Sequence, residues 1–151
     1  MIVIDGKNGG GQMLRTAMAL SALTKLPFTM ENIRASRPKS GLSAQHLKVV
    51  ETFVSLTDGY VEGLEIGSER LLFYPRSHKI KDIEVDIGTA GSCTLFLQAL
   101  LPYLAFGNKK IIRVTVKGGS DVSFSMGFDY FKEVLIPSMP WFSCDCKLIA
   151  R

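Results

Sequence analysis

The type of fold is indicated by the segment Ile4-Asp5-Gly6-Lys7-Asn8-Gly9-Gly10-Gly11-Gln12-Met13-Leu14, because a similar segment occurs again about 80 residues later. The second stretch is Val85-Asp86-Ile87-Gly88-Thr89-Ala90-Gly91-Ser92-Cys93-Thr94. Each reads as a short apolar strand, a loop of small residues and a long apolar helix. Similarity at a nearly fixed offset indicates a tandem duplication of one α/β unit.

The likeness continues downstream of each first helix. Strand-like residues Phe28–Ile33 and Ile112–Val116 enter turn-rich loops, and each loop feeds a second helix, near Gln45–Lys48 and Asp129–Lys132. We therefore predict an α/β fold of tandem βαβαββ repeats with helices packed on a sheet.

The two copies differ after the second helix. The first copy adds a hairpin from Tyr60 to Pro75, with Gly67-Ser68 as its two-residue turn. The second copy has no equivalent hairpin, and only one further strand, Phe142–Ile149, is predicted. The expected division is a first repeat over 1–78, with the glycine-rich loop and a basic segment, and a truncated second repeat over 79–151.

Composition sets the class of protein. The chain has 151 residues, 46% of them apolar and 21% charged, which is ordinary for a globular domain. No apolar run reaches the roughly 18–20 residues of a membrane span, and no basic n-region precedes the first strand. The mean hydropathy of +0.19 is high, so we expect an open sheet edge to be covered by a second copy or by further chain.

Cysteine usage indicates the compartment. Cys93, Cys144 and Cys146 are odd in number, and the C-x-C pair has no histidine nearby. This favours reduced thiols in a cytoplasmic protein over a zinc site.

Three consecutive glycines, Gly9, Gly10 and Gly11, stand where the first strand gives way to the first helix. Glycine permits close backbone approach, and helix N-terminal N–H groups favour anions. The loop matches neither the P-loop pattern nor G-x-G-x-x-G at the usual spacing. A tight turn and a phosphate-binding loop both remain open for the glycines alone.

The segment after the second strand is basic. Between Pro27 and Val50, four cations (Arg34, Arg37, Lys39, Lys48) face one acid, Glu31, within a chain of net charge +4. Guanidinium and ammonium groups bind phosphate oxygens, although many basic patches are only solvated faces. Ser40 is a candidate cap for the helix that follows.

The two histidines have different settings. His46 falls on the apolar stripe of the second helix, which suits a core residue, and also in its first turn beside the basic loop, which suits a site. His78 lies in a polar connector between the copies.

Taken together, these strings resemble the RNA 3′-terminal phosphate cyclase family, in the family's order and over nearly the whole chain. The matching strings are Gly9–Arg15, Ile33–Ala35, Arg37–Lys39, Gly41-Leu42, Gln45–Leu47, Val61–Gly63, Gly67-Ser68, Asp86–Ser92, Leu97-Gln98, Leu101-Pro102 and Gly118–Asp121. The resemblance implies an enzyme built from βαβαββ units that uses ATP, with Mg²⁺ or Mn²⁺, to convert an RNA 3′-phosphate into a 2′,3′-cyclic phosphate. An adenylylated histidine is the implied intermediate.

The resemblance also implies roles for particular residues. The nucleotide- and phosphate-binding candidates are Gly9, Gly10, Gly11, Gln12, Arg15, Arg34, Arg37, Lys39, Gln45, His46 and Gln98. Their partners are ATP and an RNA 3′ end with a terminal phosphate. Nucleotidyl transfer depends mainly on positioning and charge neutralisation, which suits these residue types.

This sequence departs from the family in three places. Asn8 replaces the usual acidic residue before the glycines, and neutral Asn is a poorer Mg²⁺ ligand. Neither His46 nor His78 matches the family's nucleophile, which lies near the end of a much longer chain. The prolines usual around Ser125–Gly127 are absent.

Three functions follow as hypotheses. The first is the N-terminal portion of a cyclase-like protein, with part of the ATP and RNA-end site but no catalytic nucleophile of its own. The second is a non-catalytic cyclase-like RNA-binding factor in ribosomal RNA processing, which Asn8 favours. The third is an enolpyruvyl-transferase relative, which shares only the repeat architecture.

Overall fold

The computed structural model describes residues 1–79, 81–106, 111–139 and 143–149. Its elements, in chain order, are β1 (Ile2–Asp5), α1 (Gly11–Thr24), β2 (Phe28–Glu31), α2 (Ala44–Thr57), β3 (Tyr60–Glu62), β4 (Leu71–Tyr74), β5 (Ile83–Asp86), α3 (Cys93–Ala105), β6 (Val114–Lys117) and α4 (Phe128–Tyr130), which continues into a π-helix over Phe131–Leu135. The mixed α/β class expected from the sequence is confirmed.

The strands form two sheets. The first has the order β1-β2-β4-β3, with β1 parallel to β2 and the other neighbours antiparallel. The second consists of β5 and β6, also parallel. In each sheet the parallel pair is joined through a helix, α1 or α3, as parallel strands require.

Local chemistry explains the helix ends. α1 ends at Thr24, and its C-cap Lys25 adopts a left-handed conformation with φ of 59°. Pro27 follows two residues later and could not continue the helix. α2 begins with a capping box in which Ser43 is the N-cap and His46 the N3 residue. α3 begins at Ser92, whose hydroxyl accepts a hydrogen bond from the N–H of Leu95 at 3.2 Å.

The main core lies between the helices and the first sheet. Its buried side chains come from α1, α2, α3 and the strands, and include Met18, Met30, Val50, Phe53, Phe73, Phe96 and Leu100. A smaller cluster gathers Leu101 of α3 with Phe131 and Ile136. α1 packs directly against α3, so the helices of the two parallel units share one interior.

Three sequence expectations were wrong in detail. Gly67-Ser68 is not a two-residue turn, because β3 ends at Glu62 and β4 begins at Leu71, with residues 63–70 as the connecting loop. Residues 143–149 form no strand, and Phe142 lies outside the described residues. The cap of α2 is Ser43, not Ser40.

No helix in the described ranges combines the length and the apolar character needed to cross a membrane.

Candidate functional site

Four loops leave the carboxyl ends of parallel strands. β1 and β2 end in register at Asp5 and Glu31, and β5 and β6 end in register at Asp86 and Lys117. In α/β sheets, ligands bind at the carboxyl ends of parallel strands. Gln45 of α2 joins the two sets of loops, because its Nε2 donates to the carbonyl of Ser92 at 3.1 Å.

The glycine-rich loop leads into an unblocked helix start. Gly10 is the N-cap of α1 and supplies no side chain, and the first turn contains no acidic residue. A Cβ at Gly11 would overlap Nε2 of His46 and lie 3.0 Å from Nη1 of Arg15, and a Cβ at Gly10 would lie 3.6 Å from Nη2 of Arg37. The helix start therefore faces two guanidinium groups and an imidazole, and the missing side chain at Gly11 makes room for the His46 ring.

Arg15 is the most unusual of these groups. Its residue is 7% exposed, and burial lowers the pKa of its guanidinium. Nη2 donates to Oε1 of Gln12 at 3.1 Å, but Nε is buried with no hydrogen-bond partner among the described residues. No carboxylate of the described chain pairs with it. A buried cation normally has an anionic partner, so this position suits an anion from outside the chain.

The basic segment is bound to the glycine-rich loop through its backbone. The N–H of Arg34 donates to Gly6 O at 3.2 Å, and the N–H of Ser36 donates to Lys7 O at 3.0 Å. Arg34 itself has φ of 55°, an unfavourable conformation for a non-glycine residue, and its Nη1 donates to Gly41 O at 2.8 Å. Arg37 remains exposed with its guanidinium beside Gly10.

His46 is a neutral hydrogen-bond donor in this arrangement. It is 6% exposed, and burial, with the charges of Arg34 and Arg15, lowers its pKa to about 4. Its Nδ1 accepts the backbone N–H of Ser43 at 3.1 Å. The ring hydrogen is therefore on Nε2, which points at Gly11.

The remaining predicted residues lie in different places. Gln12 and Gln98 line a cavity of about 200 Å³ between α1 and α3 together with Arg15, and apolar side chains that include Leu20 and Pro102 also line it. Gln45 uses its amide nitrogen to hold the start of α3. Lys39 is exposed, and no hydrogen bond or ion pair within the described ranges joins it to the others. His78, the connector histidine, instead stacks on Tyr103 with ring centroids 4.3 Å apart.

Two supporting features were missed from the sequence. The backbone N–H of Ser43 fixes the tautomer of His46, and a backbone contact of this kind cannot be recognised from a pattern of side chains. The 63–70 loop supports the end of the basic segment, since Gly67 N donates to Leu42 O at 2.8 Å and Leu42 N donates to Ser68 O at 3.0 Å. The sequence predicts a hairpin turn at Gly67, because local patterns do not show the long-range contact with Leu42.

Two side chains near the helix start that carry oxygen atoms are already hydrogen-bonded within the chain. Asn8 Oδ1 accepts a hydrogen bond from the Ser36 hydroxyl at 3.2 Å, and Asp5 Oδ1 accepts from the N–H of Lys7 and the amide of Asn32. No group of three or more His, Cys, Asp or Glu side chains in the described part of the chain is placed to hold a metal.

A second cleft, of about 330 Å³, runs between α2 and the outer side of β5. Side chains of both charge signs line it, including Lys48, Glu51, Lys81 and Glu84. None of the residues predicted to bind phosphate contributes to it.

Comparison with known proteins identifies the relatives of this chain. Residues 6–151 match the model of the family described as RNA 3′-terminal phosphate cyclase. The protein of that name from Archaeoglobus fulgidus is 46% identical over 150 residues, covering 98% of this chain and 45% of the relative. That from Sulfurisphaera tokodaii is 52% identical over 135 residues (87% and 39%), and that from Hyperthermus butylicus is 46% identical over 153 residues (100% and 42%). The chain thus spans less than half the length of each of these relatives.

Proposed function

Because this chain belongs to the RNA 3′-terminal phosphate cyclase family, we propose that its helix-start site binds the phosphates of ATP and of an RNA 3′ end. The helix-start site is the group formed by Gly10, Gly11, Arg15, Arg37 and His46. The observation that carries the proposal is the buried guanidinium of Arg15, whose Nε has no partner in the described chain. An incoming phosphate oxygen would supply the missing acceptor and the missing negative charge.

The reaction in this proposal is ATP-dependent formation of an RNA 2′,3′-cyclic phosphate. ATP adenylylates a histidine other than His46 and His78 and releases pyrophosphate. AMP then passes from that histidine to the terminal phosphate, and attack by the neighbouring 2′-hydroxyl closes the ring and releases AMP. The helix N–H groups and the two arginines would neutralise phosphate charge, and His46 would donate from Nε2. The resemblance predicts that ATP and a divalent cation take part in the reaction. The roles proposed here for the arginines and His46 do not depend on the cation.

The nucleotide base has a candidate location next to the phosphates. The cavity between α1 and α3 is lined by the amide groups of Gln12 and Gln98 and by apolar side chains that include Leu20 and Pro102. Ligand sites of this kind combine apolar walls with a few polar groups that fix orientation. Replacing Gln98 with Met should weaken binding of ATP more than binding of inorganic triphosphate.

His46 is not the adenylylated histidine in this proposal. Its Nδ1 accepts the Ser43 N–H, and Nε2 holds the proton, so neither nitrogen has a free lone pair. After incubation of the chain with labelled ATP and Mg²⁺, we expect no stable phosphoramidate. A labelled His46 or His78 would contradict this part of the proposal.

The main test compares arginine variants. Arg15→Met and Arg37→Met should each weaken binding of ATP and of a 3′-phosphorylated oligoribonucleotide about tenfold or more, since a hydrogen bond to a charged group contributes about 1.5–3 kcal/mol. The matched control is Arg70→Met, which removes an exposed guanidinium already 3.8 Å from Glu31. Equal affinities for the three variants, or equal affinity for 3′-hydroxyl and 3′-phosphate RNA, would refute the proposal.

One observation favours a second candidate, a non-catalytic RNA-binding member of the family. Asn8 replaces the expected acidic residue, and its oxygen is already bonded to Ser36. This candidate predicts RNA binding that is indifferent to ATP and to the terminal phosphate, so the same titrations separate the two. The enolpyruvyl-transferase alternative is set aside, because the family match is to the cyclases.

A further inference from the structure

The loop between β6 and α4 presents an aromatic side chain in an unusual way. Phe124 is 104% exposed, and its φ of 62° lies in the left-handed region. It occupies the third position of a turn closed by the N–H of Ser125 donating to Val122 O at 3.1 Å. Glycine normally occupies a turn position with positive φ. Phe124 therefore has a strained backbone and a side chain that is fully exposed to solvent.

The strained turn is held by a firm base. Gly119 N donates to Gly91 O at 2.9 Å, and Cys93 N donates to Gly119 O at 2.9 Å, which fixes the first end of the loop to the start of α3. The other end is fixed by the fully buried Thr94, whose hydroxyl donates to Met126 O at 2.7 Å. Exposed loops without such anchors can relax strain, whereas this loop is constrained at both ends.

The loop also lies at the same edge of the fold as the helix-start site. Its anchor is the start of α3, and Ser92 there accepts the hydrogen bond from Gln45, the neighbour of His46. His46 in turn faces Gly11. A continuous series of contacts therefore runs from the start of α1 to the β6–α4 loop.

We propose that Phe124 stacks on a nucleobase near the 3′ end of the bound RNA, a role that rests on the function proposed above. Single-stranded RNA is bound by stacking its unpaired bases on exposed aromatic side chains. The immediate neighbours of Phe124 are Ser123, which is exposed and whose hydroxyl suits the polar edge of a base or a ribose, and Ser125, whose hydroxyl donates to Val122 O at 2.6 Å and holds the turn. A protein partner would instead require a contiguous apolar patch, and the exposed neighbours Asp121 and Ser123 interrupt one.

The experiment measures binding of a 3′-phosphorylated oligoribonucleotide to the full chain. Phe124→Ala should weaken binding about 5- to 150-fold, the range for loss of one base–aromatic stack, and Phe124→Tyr should bind as the unmodified chain does. The matched control is Phe106→Ala, because Phe106 is an exposed phenylalanine, 71% exposed, at the opposite end of α3. It should leave RNA affinity unchanged.

A second series locates the base. Oligoribonucleotides with one abasic residue, placed at each terminal position in turn, should include one for which the unmodified chain and Phe124→Ala bind equally. Equal loss on Phe124→Ala for every abasic position would overturn the proposal, as would unchanged binding of intact RNA. If Phe124→Ala has no effect while Arg15→Met and Arg37→Met still weaken phosphate-dependent binding, the stacking inference fails and the proposed function stands.

A stability measurement separates stacking from a folding defect. Phe124→Gly removes the ring and relieves the positive φ, so its melting temperature should rise while its RNA affinity falls. A fall in melting temperature on Phe124→Gly would show that the ring supports the fold and would count against a binding role.

Discussion

Arg15 places an uncompensated charge inside the protein. Its Nε is buried without a partner among the described residues, and a buried unsatisfied polar group costs about 1–3 kcal/mol. Arg15→Met keeps the apolar stem and removes that cost, so we expect the free energy of unfolding to rise by about 1–2 kcal/mol in urea titrations. The same variant should bind phosphate ligands more weakly.

Arg70→Met is the control for that stability measurement. Arg70 is exposed and paired with Glu31, so its replacement should change the free energy of unfolding by less than about 0.5 kcal/mol. If Arg15→Met were instead destabilising by more than the control, Arg15 would be a structural residue.

His46 makes stability depend on pH in a defined direction. Its pKa falls from an unfolded value of 6.5 to about 4 in the fold, so between these values the unfolded chain binds a proton that the folded chain does not. Stability is therefore complete above pH 6.5 and is lost as pH falls toward 4, by up to about 3 kcal/mol in total. Urea titrations across this window should show the loss.

Two variants identify the titrating histidine. Gln at position 46 can still accept the Ser43 N–H at the N3 position of a capping box, but does not titrate, so His46→Gln should flatten the pH dependence. His78→Gln should retain the fall due to His46, although burial and Lys25 also lower the His78 pKa. Equal slopes for His46→Gln and the unmodified chain would contradict the assignment.

For single residues, the sequence indicated which side chains are unusual but not their protonation or tautomer. Arg15 stood out as the one charge in an apolar helix, and it is buried. The sequence left a core and a site interpretation of His46 open: its burial agrees with the first, and the second stays a prediction for a ring that faces Gly11. Its tautomer could not be predicted, because it depends on a backbone N–H whose direction is set by the helix cap.

At the scale of elements, Gly41 fixes the end of the basic segment. Its φ is +70°, and a Cβ there would overlap the backbone of Gly67. Gly41→Ala should lower the free energy of unfolding by more than about 2 kcal/mol, because it adds a backbone clash to left-handed strain of about 1–2 kcal/mol. It should also weaken ATP binding, because Arg34 bonds to the Gly41 carbonyl.

Gly88→Ala provides the comparison for strain without a clash. Gly88 has φ of +74°, and a Cβ there would meet nothing within 4 Å. Gly88→Ala should therefore lower the free energy of unfolding by only about 1–2 kcal/mol. Equal melting temperatures for Gly41→Ala and Gly88→Ala would show that the contact with Gly67 has no structural weight.

Helices were predicted well because their signals are local. The apolar run from Gln12 to Thr24 became α1 at Gly11–Thr24, and the uncharged run from Ser92 to Phe106 became α3 at Cys93–Ala105. The prediction of a strand over 142–149 was wrong for residues 143–149, because a strand needs a neighbouring strand to pair with. Leu148 and Ile149 are instead exposed.

The whole molecule joins two α/β units through the packing of α1 and α2 against α3 and through hydrogen bonds between the units. The element order is βαβαββ up to Tyr74 and βαβ followed by a helix from Ile83 onward. The expected division into repeats over 1–78 and 79–151 stays a proposal. The sequence indicated the repeated pattern, but the hydrogen bonds from Gln45 to Ser92 and from Tyr103 to Leu56 each join residues 47 positions apart and could not be located from local patterns.

Tyr103 provides one of the contacts between these units, a hydrogen bond to Leu56. It is fully buried in α3, its hydroxyl donates to Leu56 O at 3.1 Å and Lys79 O at 3.2 Å, and its ring packs edge-on against Phe53 at 5.7 Å. Tyr103→Phe removes the donor and leaves two carbonyls without it, so we expect a loss of about 1–3 kcal/mol in the free energy of unfolding. Tyr60→Phe is the control: among the described residues the Tyr60 hydroxyl bonds only to exposed Glu62, so this substitution should lower the free energy of unfolding by about 0.5 kcal/mol or less.

Hydrogen exchange decides whether this contact couples the units or only stabilises one of them. If α1, α2 and α3 form one cooperative core, Tyr103→Phe should lower protection equally in β1–β2 and in β5–β6, because both sheets would open in the same global unfolding step. Loss of protection confined to β5–β6 would mean that the second unit opens alone. In that case the helix-start site, which lies on the first unit, would remain formed without its neighbour, and the Gln45–Ser92 hydrogen bond would be dispensable for phosphate binding.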